Sequence, residues 1–254
     1  MASEPIEMPR RPMEWRRAWR ALQALIADPQ RTDQVFEITD ALAGQSFERA
    51  YERFRQHPQG QRLLTERPSL LQTLANREAL QALPSGSFGR CYAEFMQAGN
   101  LTPEALVEAE NVAEQRHTPR PADADRQFYG DRIRDMHDLW HVLTGYGMDE
   151  AGEAANLAFS LGQIPTFGIG LIVVAAAVIG PKNLTFYWQR YLFRAWRRGR
   201  RAALLTVVPY EELLARPLDD VRRELRIEPV EHTHPDGVLV GNRIGEVTAL
   251  TATH

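Results

Sequence analysis

A long uncharged segment limits what this chain can fold into more than any other feature of its sequence. The stretch Ala154–Gly180 contains no charged residue, and Ile164–Ile179 is apolar except for Thr166. Its strongly apolar part is shorter than the roughly 18–20 residues of a membrane-spanning helix, and Pro165 and several glycines interrupt it. A helix that is apolar on all sides lies in a protein core, in lipid or against a bound lipid. We therefore expect a core or lipid-tunnel helix, with shallow membrane contact as the alternative.

The remaining apolar residues recur at helical spacing, and no run shows the alternation that is typical of strands. Prolines and glycines separate these runs and mark the ends of the predicted helices. The sequence therefore predicts an all-α fold with one helical domain over residues 13–227. We expect a flexible N-terminus over residues 1–12 and a loosely ordered tail over residues 228–254.

The first predicted helix carries an apolar stripe that consists of Trp15, Trp19, Leu22 and Ile26. Arginines lie largely off this stripe, so the helix could rest on an anionic membrane surface. Such a stripe more often docks on the core of its own protein, and we expect that arrangement here.

Composition narrows the possible chemistry. Cys91 is the only cysteine, which excludes an internal disulfide and any multi-cysteine metal site. Lys182 is the only lysine, so the sequence argues against a Schiff-base mechanism. The formal net charge of −3 argues against nucleic acid as a partner. Function must therefore depend on histidine, carboxylate, hydroxyl or guanidinium groups.

The strongest candidate for chemistry is a segment that contains two histidines and several acids. His137 and His141 are one helical turn apart, and Asp138 is rotated by about 100° from His137, so all three can reach one ion. A turn at Gly145–Gly147 should reverse the chain and place Glu153 level with His141 on the next helix. The sequence thus predicts a helical hairpin that binds a divalent metal through His137, Asp138, His141 and Glu153.

Imidazole and carboxylate ligands suit zinc, iron, cobalt or manganese, and the ligand set alone does not choose among them. The alternative interpretation is that the histidines are ordinary helix residues that hydrogen-bond to nearby acids. An adjacent histidine and aspartate, like His137 and Asp138 here, are also found in HD-domain phosphohydrolases. That class needs a further histidine and a distant aspartate, and the surroundings of His57 and Asp219 give it no support.

The same residues resemble the signature of the coenzyme Q biosynthesis protein 4 family, in which His-Asp-x-x-His is separated by eleven residues from a glutamate. The resemblance spans about Leu83 to Ile227. It includes Arg132 and Arg134 before the first histidine. Further matching segments are Ser85–Arg90, Leu143–Gly145, Gly152–Glu153, Gly199–Ala202, Tyr210–Glu211 and Arg222–Ile227.

The resemblance implies a helical protein that binds polyprenyl lipids and acts in ubiquinone biosynthesis. The implied reaction removes the carboxyl group at ring carbon 1 of a polyprenylated 4-hydroxybenzoate, with hydroxylation there in some members. The other implied role is a non-catalytic scaffold that organises the biosynthetic proteins around a structural metal. In both roles His137, Asp138, His141 and Glu153 would bind the metal, with zinc as the first candidate. The enzyme would use the same four residues in catalysis.

The resemblance further implies a homodimer on a membrane surface, in contact with other ubiquinone-biosynthesis proteins. Because no organellar presequence is evident, we expect a bacterial member that associates peripherally with the inner face of the membrane from the cytoplasm. Arg132 or Arg134 could hold an anionic head group through bidentate contacts, although exposed helix arginines would look the same in sequence. No general acid or base can be assigned, and Asp135 and Tyr146 are only close in sequence to the ligands.

Overall fold

A computed structural model describes residues 12–116, 123–180, 185–234, 238–240 and 248–250. The helices are α1 (Trp15–Ala27), α2 (Thr32–Ala41), α3 (Ser46–Gln56), α4 (Pro58–Glu66), α5 (Leu70–Ala75), α6 (Arg77–Gln81), α7 (Phe88–Ala98), α8 (Glu104–Glu114), α9 (Ala124–Asp135), α10 (His137–Thr144), α11 (Glu150–Gln163), α12 (Phe167–Ile179), α13 (Thr185–Arg201), α14 (Tyr210–Leu213), α15 (Leu218–Glu224) and α16 (Val230–Thr233). A 3-10 turn spans Leu205–Val207, and β1 (Val238–Val240) pairs antiparallel with β2 (Thr248–Leu250). The predicted helical fold is therefore confirmed, with one short strand pair near the C-terminus.

The main core is built around α11 and α13, which pack against each other along most of their length. Buried aromatic residues from five helices fill it, among them Trp140, Phe159, Trp188 and Tyr210. Gln163 joins the end of α11 to this core, because its amide donates to the Gly199 carbonyl (2.5 Å) and accepts from the Leu205 amide (2.9 Å). Each polar atom of this buried side chain therefore has a partner, as a core position requires.

A second, smaller core joins α1, α2 and α12. Its centre consists of small and branched residues, including Ala18, Ala21, Ile38 and Ile172. Arg17 fastens α1 to α2 through Glu37 (2.7 Å) and Asp40 (2.7 Å). This layer lies over the main core and forms one side of the large cavity described below.

The expectation that the tryptophan stripe of α1 docks on the core is wrong. Trp15 and Trp19 are 54% and 56% exposed, while the buried face of α1 is formed by Ala18, Ala21 and Leu22. The alanines allow α1 to lie close to α2, which a face of tryptophans would prevent. The broad apolar face of α1 is therefore only partly buried, with Leu22 of the predicted stripe and the alanines inside and the tryptophans outside.

The uncharged segment forms α11 and α12 rather than one long helix, because Ile164 ends α11 and Thr166 caps α12 through its hydroxyl. No helix within the described residues combines the length and the apolar character that crossing a membrane would require. Much of α12 faces outward, and Val174 and Val178 are 61% and 75% exposed. The opposite side of α12 packs against α2 and α11.

The C-terminal segment, predicted as a loosely ordered tail, contains both ordered elements and residues outside the described range. Leu239 in β1 is fully buried in the main core, and His234 after α16 is buried beside Tyr146 and Tyr191. Residues 235–237, 241–247 and 251–254 lie outside the described residues, as do residues 1–11 of the predicted N-terminal lead-in.

Candidate metal site

Two histidines and one glutamate meet between α10 and α11. The Nε2 atoms of His137 and His141 are 3.3 Å apart. Glu153 reaches both rings, with Oε2 at 3.5 Å from His137 Nε2 and Oε1 at 3.3 Å from His141 Nε2. All three residues offer ligand atoms within 4.8 Å of one another. The predicted convergence of these three side chains is therefore present in the structure.

The turn between the helices explains why Glu153 arrives at the histidines. Gly145 ends α10 in the left-handed region (φ 77), which glycine adopts without a steric penalty. Asp149 then begins α11, since its side chain accepts from the amides of Ala151 and Gly152. A Cβ at Gly152 would lie 2.1 Å from the Gly147 carbonyl oxygen, so only glycine lets α11 pack this close to the turn.

The helix that carries the histidines is short. Residues 124–144 form two helices, α9 and α10, that meet at Met136. The amide of Met136 still bonds the Arg132 carbonyl and its own carbonyl accepts from Trp140, so hydrogen bonding continues across the junction. The interruption does not separate His137 from His141, because both lie within α10.

His141 is enclosed by protein. It is 1% exposed, its ring stacks on Phe95 with centroids 5.6 Å apart, and its Nδ1 lies 3.2 Å from the Tyr146 carbonyl oxygen. A carbonyl partner assigns the ring proton to Nδ1, which leaves the Nε2 lone pair directed at His137 and Glu153. A side chain in this state is ready to act as a metal ligand.

His137 and Glu153 are more open than His141. Their side chains are 25% and 42% exposed, and both line a cavity of about 2320 Å³. The cavity runs between the α1–α2 layer, α8 and the α11–α12 pair. Its apolar lining includes Leu106, Leu157, Ile169, Ile172 and Val173. The trio is therefore reached from a space larger than the roughly 300–1,000 Å³ that small ligands occupy.

The ionisation of the trio reflects its mutual attraction. Burial by itself would lower the pKa of His137, but the hydrogen bond and charge of Glu153 outweigh it and raise that pKa to about 8. For Glu153 the directions are reversed. Burial by itself would raise its pKa, but the two imidazoles outweigh burial and hold that pKa well below its usual range. Glu153 is thus a carboxylate, the form that binds cations.

Asp138 lies next to this group but is not part of the three-residue cluster. It is 9% exposed and lines the same cavity. Burial raises the pKa of its carboxyl group; the charge of Glu153 adds to this shift, and the imidazoles oppose it. Its predicted role as a fourth ligand remains a prediction.

The donor set fits a first-row divalent metal. Ligands at about 2.0–2.2 Å from one ion in a tetrahedral arrangement lie about 3.3–3.6 Å from one another. The two histidine Nε2 atoms, 3.3 Å apart, fall in that range, and Glu153 presents a different oxygen to each of them, at 3.5 and 3.3 Å. Two neutral imidazoles and one carboxylate suit zinc, iron, cobalt or manganese, and three protein ligands leave at least one position open.

The two arginines predicted to hold an anionic head group lie in different surroundings. Arg132 is 2% exposed and forms two bonds to Glu211, at 2.8 and 2.9 Å, and one to the Val208 carbonyl. Arg134 lines the cavity, where Glu110 (2.6 Å), Asp131 (3.0 Å) and Asp135 (2.8 Å) surround it. Of the two, Arg134 is the one in a position to meet a ligand.

Sequence reasoning missed the residues that support His141. Phe95 comes from α7, 46 positions earlier in the chain, and the Tyr146 contact uses a backbone atom that has no sequence signature. The two residues that the phosphohydrolase alternative would require do not lie with His137 and Asp138. His57 is an exposed cap of α4, and the side chain of Asp219 is 84% exposed on α15.

The fold and the site together define a class: all-helical proteins with a two-histidine, one-carboxylate group at the wall of a large cavity. The chain belongs to the family described as "Coenzyme Q (ubiquinone) biosynthesis protein Coq4", whose sequence profile matches residues 15–231. The resemblance seen in the sequence is thereby confirmed, and it extends further toward the N-terminus than the motifs alone indicated. The family is involved in ubiquinone biosynthesis.

Relatives from animals support this assignment. The mitochondrial ubiquinone biosynthesis protein COQ4 homologue of Aedes aegypti is 28% identical over 211 residues, which cover 81% of this chain and 72% of the relative. The corresponding protein of Danio rerio is 29% identical over 210 residues, which cover 81% of this chain and 73% of the relative.

A solved structure shares the fold. It is the crystal structure of a candidate ubiquinone biosynthesis protein from Nostoc punctiforme, which matches with a TM-score of 0.63 at 21% identity, over 85% of this chain and all of that one.

Proposed function

We propose that this protein is a metal-dependent enzyme of ubiquinone biosynthesis that removes the carboxyl group at ring carbon 1 of a polyprenylated 4-hydroxybenzoate. One observation supports this proposal above all. The His137–His141–Glu153 group brings one possible ligand atom per residue within 4.8 Å of the others and lies at the wall of a cavity large enough for a prenyl chain. Zinc is the first candidate, and iron, cobalt or manganese would fit the same ligands.

The residues of this chain would divide the work between holding the ion and holding the substrate. His137, His141 and Glu153 would bind the metal, with Asp138 as the proposed fourth ligand. A bound divalent ion supplies Lewis acidity, which stabilises negative charge on a phenolate or carboxylate oxygen. Loss of carbon dioxide breaks the bond between ring carbon and carboxyl carbon, and the ring carbon takes a proton in its place. In an oxidative reaction, one oxygen atom of dioxygen would become the ring hydroxyl instead, and an external two-electron donor would reduce the other to water.

The cavity wall would hold the isoprenoid chain. Ile169, Ile172 and Val173 of α12 and Leu157 of α11 line it without charged groups among them. Burial of each methylene of a prenyl chain contributes about 0.8 kcal/mol, so this wall favours long apolar tails. Arg134 is the proposed contact for the anionic head group, where it would exchange part of its bonding to Glu110.

A non-catalytic scaffold is the second candidate, and one observation favours it. The histidines stand on α10 and Glu153 on α11, so a bound ion would tie two helices together as structural metals do. In that case the lipid cavity and the outer surfaces would serve to gather other ubiquinone-biosynthesis proteins.

The exposed apolar surface supports a membrane-associated location. Phe186 and Phe193 of α13 are 78% and 54% exposed, and the exposed arginines Arg190 and Arg197 share their side of the helix. Together with Val178 of the neighbouring α12, they combine apolar groups with cations that complement anionic lipid. We therefore propose peripheral binding to the inner face of a bacterial membrane, with a homodimer as the expected assembly.

The decisive experiment measures turnover. Purified protein is loaded in turn with zinc, iron(II), cobalt or manganese and incubated with a prenylated 4-hydroxybenzoate whose carboxyl carbon is labelled, in air and under anaerobic conditions. Release of labelled carbon dioxide that disappears in the Glu153→Gln variant supports the enzyme. Bound metal without release under any condition would contradict the enzyme and favour the scaffold.

A further inference from the structure

The C-terminal end of α10 is held by two arginines from other parts of the fold. The last carbonyl groups of a helix have no partner within the helix and need one from outside. Arg222 donates from Nη2 to the Val142 carbonyl (2.9 Å) and from Nε to the Leu143 carbonyl (3.0 Å). Arg198 donates from Nη1 to the Thr144 carbonyl (3.0 Å). Three consecutive carbonyl groups of the histidine helix thus end on guanidinium groups.

These two residues, termed the arginine clamp, come from separate helices. Arg198 lies on α13, is 5% exposed, and also bonds the Glu228 carbonyl (2.7 Å). Arg222 lies on α15, and its side chain is 25% exposed. Two positive charges at a helix C-terminus also interact favourably with the helix dipole. The clamp therefore connects α10 to both α13 and α15.

The clamp extends past the helix end to the atom that orients a histidine. The guanidinium carbon of Arg198 lies 5.0 Å from the centre of the Tyr146 ring, and the Tyr146 carbonyl oxygen lies 3.2 Å from His141 Nδ1. Arg198 thus contacts the residues on both sides of Gly145, the turn residue. Because a hydrogen bond at Nδ1 fixes the tautomer and direction of an imidazole ligand, the position of this carbonyl controls His141.

We propose that Arg198 and Arg222 are positioning residues that aim His141 Nε2 at the metal. This inference rests on the proposed function in one respect, which is that the trio binds a metal. The forked guanidinium is essential to the role, because Arg222 bonds two adjacent carbonyl groups at once and a lysine would reach only one. The clamp acts through the backbone and touches neither metal nor substrate.

The test uses the full chain with Co²⁺, whose visible absorption reports coordination geometry. Arg198→Lys and Arg222→Lys are expected to weaken Co²⁺ binding by about 10- to 100-fold and to change the absorption spectrum at saturating Co²⁺. Arg222→Gln, which keeps a donor without the charge, is the second variant if a lysine substitution reduces helix content in circular dichroism.

Two controls separate positioning from general stability. Arg223→Lys alters the neighbouring residue of α15, whose side chain is 76% exposed, and should match the wild type. Arg17→Lys removes part of the α1–α2 ion-pair network and should lower the midpoint of unfolding without moving Co²⁺ affinity or spectrum. If the clamp variants bind Co²⁺ with wild-type affinity and spectrum, the clamp proposal is wrong, while the metal site is unaffected. Failure of the wild-type protein to bind Co²⁺ would overturn the metal site, and the clamp proposal with it.

Discussion

The two sides of α10 differ in how tightly the protein surrounds them. On the closed side, His141 is packed under Phe95, and Tyr146, Tyr191 and His234 form a buried aromatic group nearby. On the open side, His137 faces a cavity of about 2320 Å³ together with Glu153. One short helix thus presents one tightly packed histidine and one accessible histidine. In the proposed metal site, the packed histidine would orient the ion, and the open side would leave room for a substrate.

Removing each histidine in turn is the strongest test of this difference. Both His141→Ala and His137→Ala should lower bound metal at least about tenfold, as measured by mass spectrometry of the purified protein. In metal-free protein, His141→Ala should lower the free energy of unfolding by about 2–4 kcal/mol, because it leaves a cavity beneath Phe95.

His137→Ala should change the stability of the metal-free protein by no more than about 1 kcal/mol, since its side chain is partly exposed. Urea unfolding at constant pH gives both values. Equal losses of stability from the two substitutions would show that the closed and open sides do not differ.

Acid should weaken the closed side through His234. Burial and the charges of Arg198 and Arg194 lower the pKa of His234 to about 4, whereas the unfolded chain protonates near pH 6.5. The unfolded state therefore binds the proton first, so this residue costs no stability above pH 6.5 and progressively more as the pH falls toward 4. The loss should reach up to about 3 kcal/mol at pH 4.

Unfolding curves of His234→Phe between pH 7 and about pH 4 would isolate this contribution, because phenylalanine fills the same aromatic site without titrating. The difference in stability between variant and wild type should grow as the pH falls. His232→Phe, at an exposed position on α16, is the matched control and should follow the wild type. A pH-independent difference for His234→Phe would contradict the assignment of a neutral buried imidazole.

The smallest effect on stability is expected on the outer surface beside the cavity. Val178→Asp should change the free energy of unfolding by less than about 0.5 kcal/mol, because the residue is 75% exposed. It should nevertheless reduce co-sedimentation with vesicles of phosphatidylglycerol and phosphatidylcholine severalfold. Gln61→Asp adds the same charge at an exposed position of α4, and this variant should bind vesicles like the wild type. Equal binding by both variants would remove α12 from the proposed membrane surface.

Sequence alone predicted the local parts of the site and missed its long-range parts. His137, His141 and Glu153 were predictable because helical spacing and one glycine turn determine their relative positions. The contacts of Phe95 and Arg222 were not predictable, because these residues are 46 and 81 positions from His141 and helical spacing does not relate them to it. Helix and turn geometry predicts the relative positions of residues that are close in sequence, whereas contacts between distant residues depend on the whole fold.

The same limit explains which helix faces were predicted. A helical fold follows from periodicity, but periodicity does not show which part of the broad apolar face of α1 is buried. The observed choice depends on how closely Ala18 and Ala21 can approach α2. In α12 nearly every position is apolar, so the sequence contains no signal for the side that faces outward.

The separation of the α1–α2–α12 core from the main core has a consequence for how the protein opens. The α1–α2–α12 core is small, and a cavity lies along its boundary with the main core. Regions with few buried contacts open locally at a lower free energy than the whole molecule. We expect amide hydrogens of α1 and α2 to exchange with solvent before those of α11 and α13. A long ligand could then enter sideways while the histidine helix stays folded.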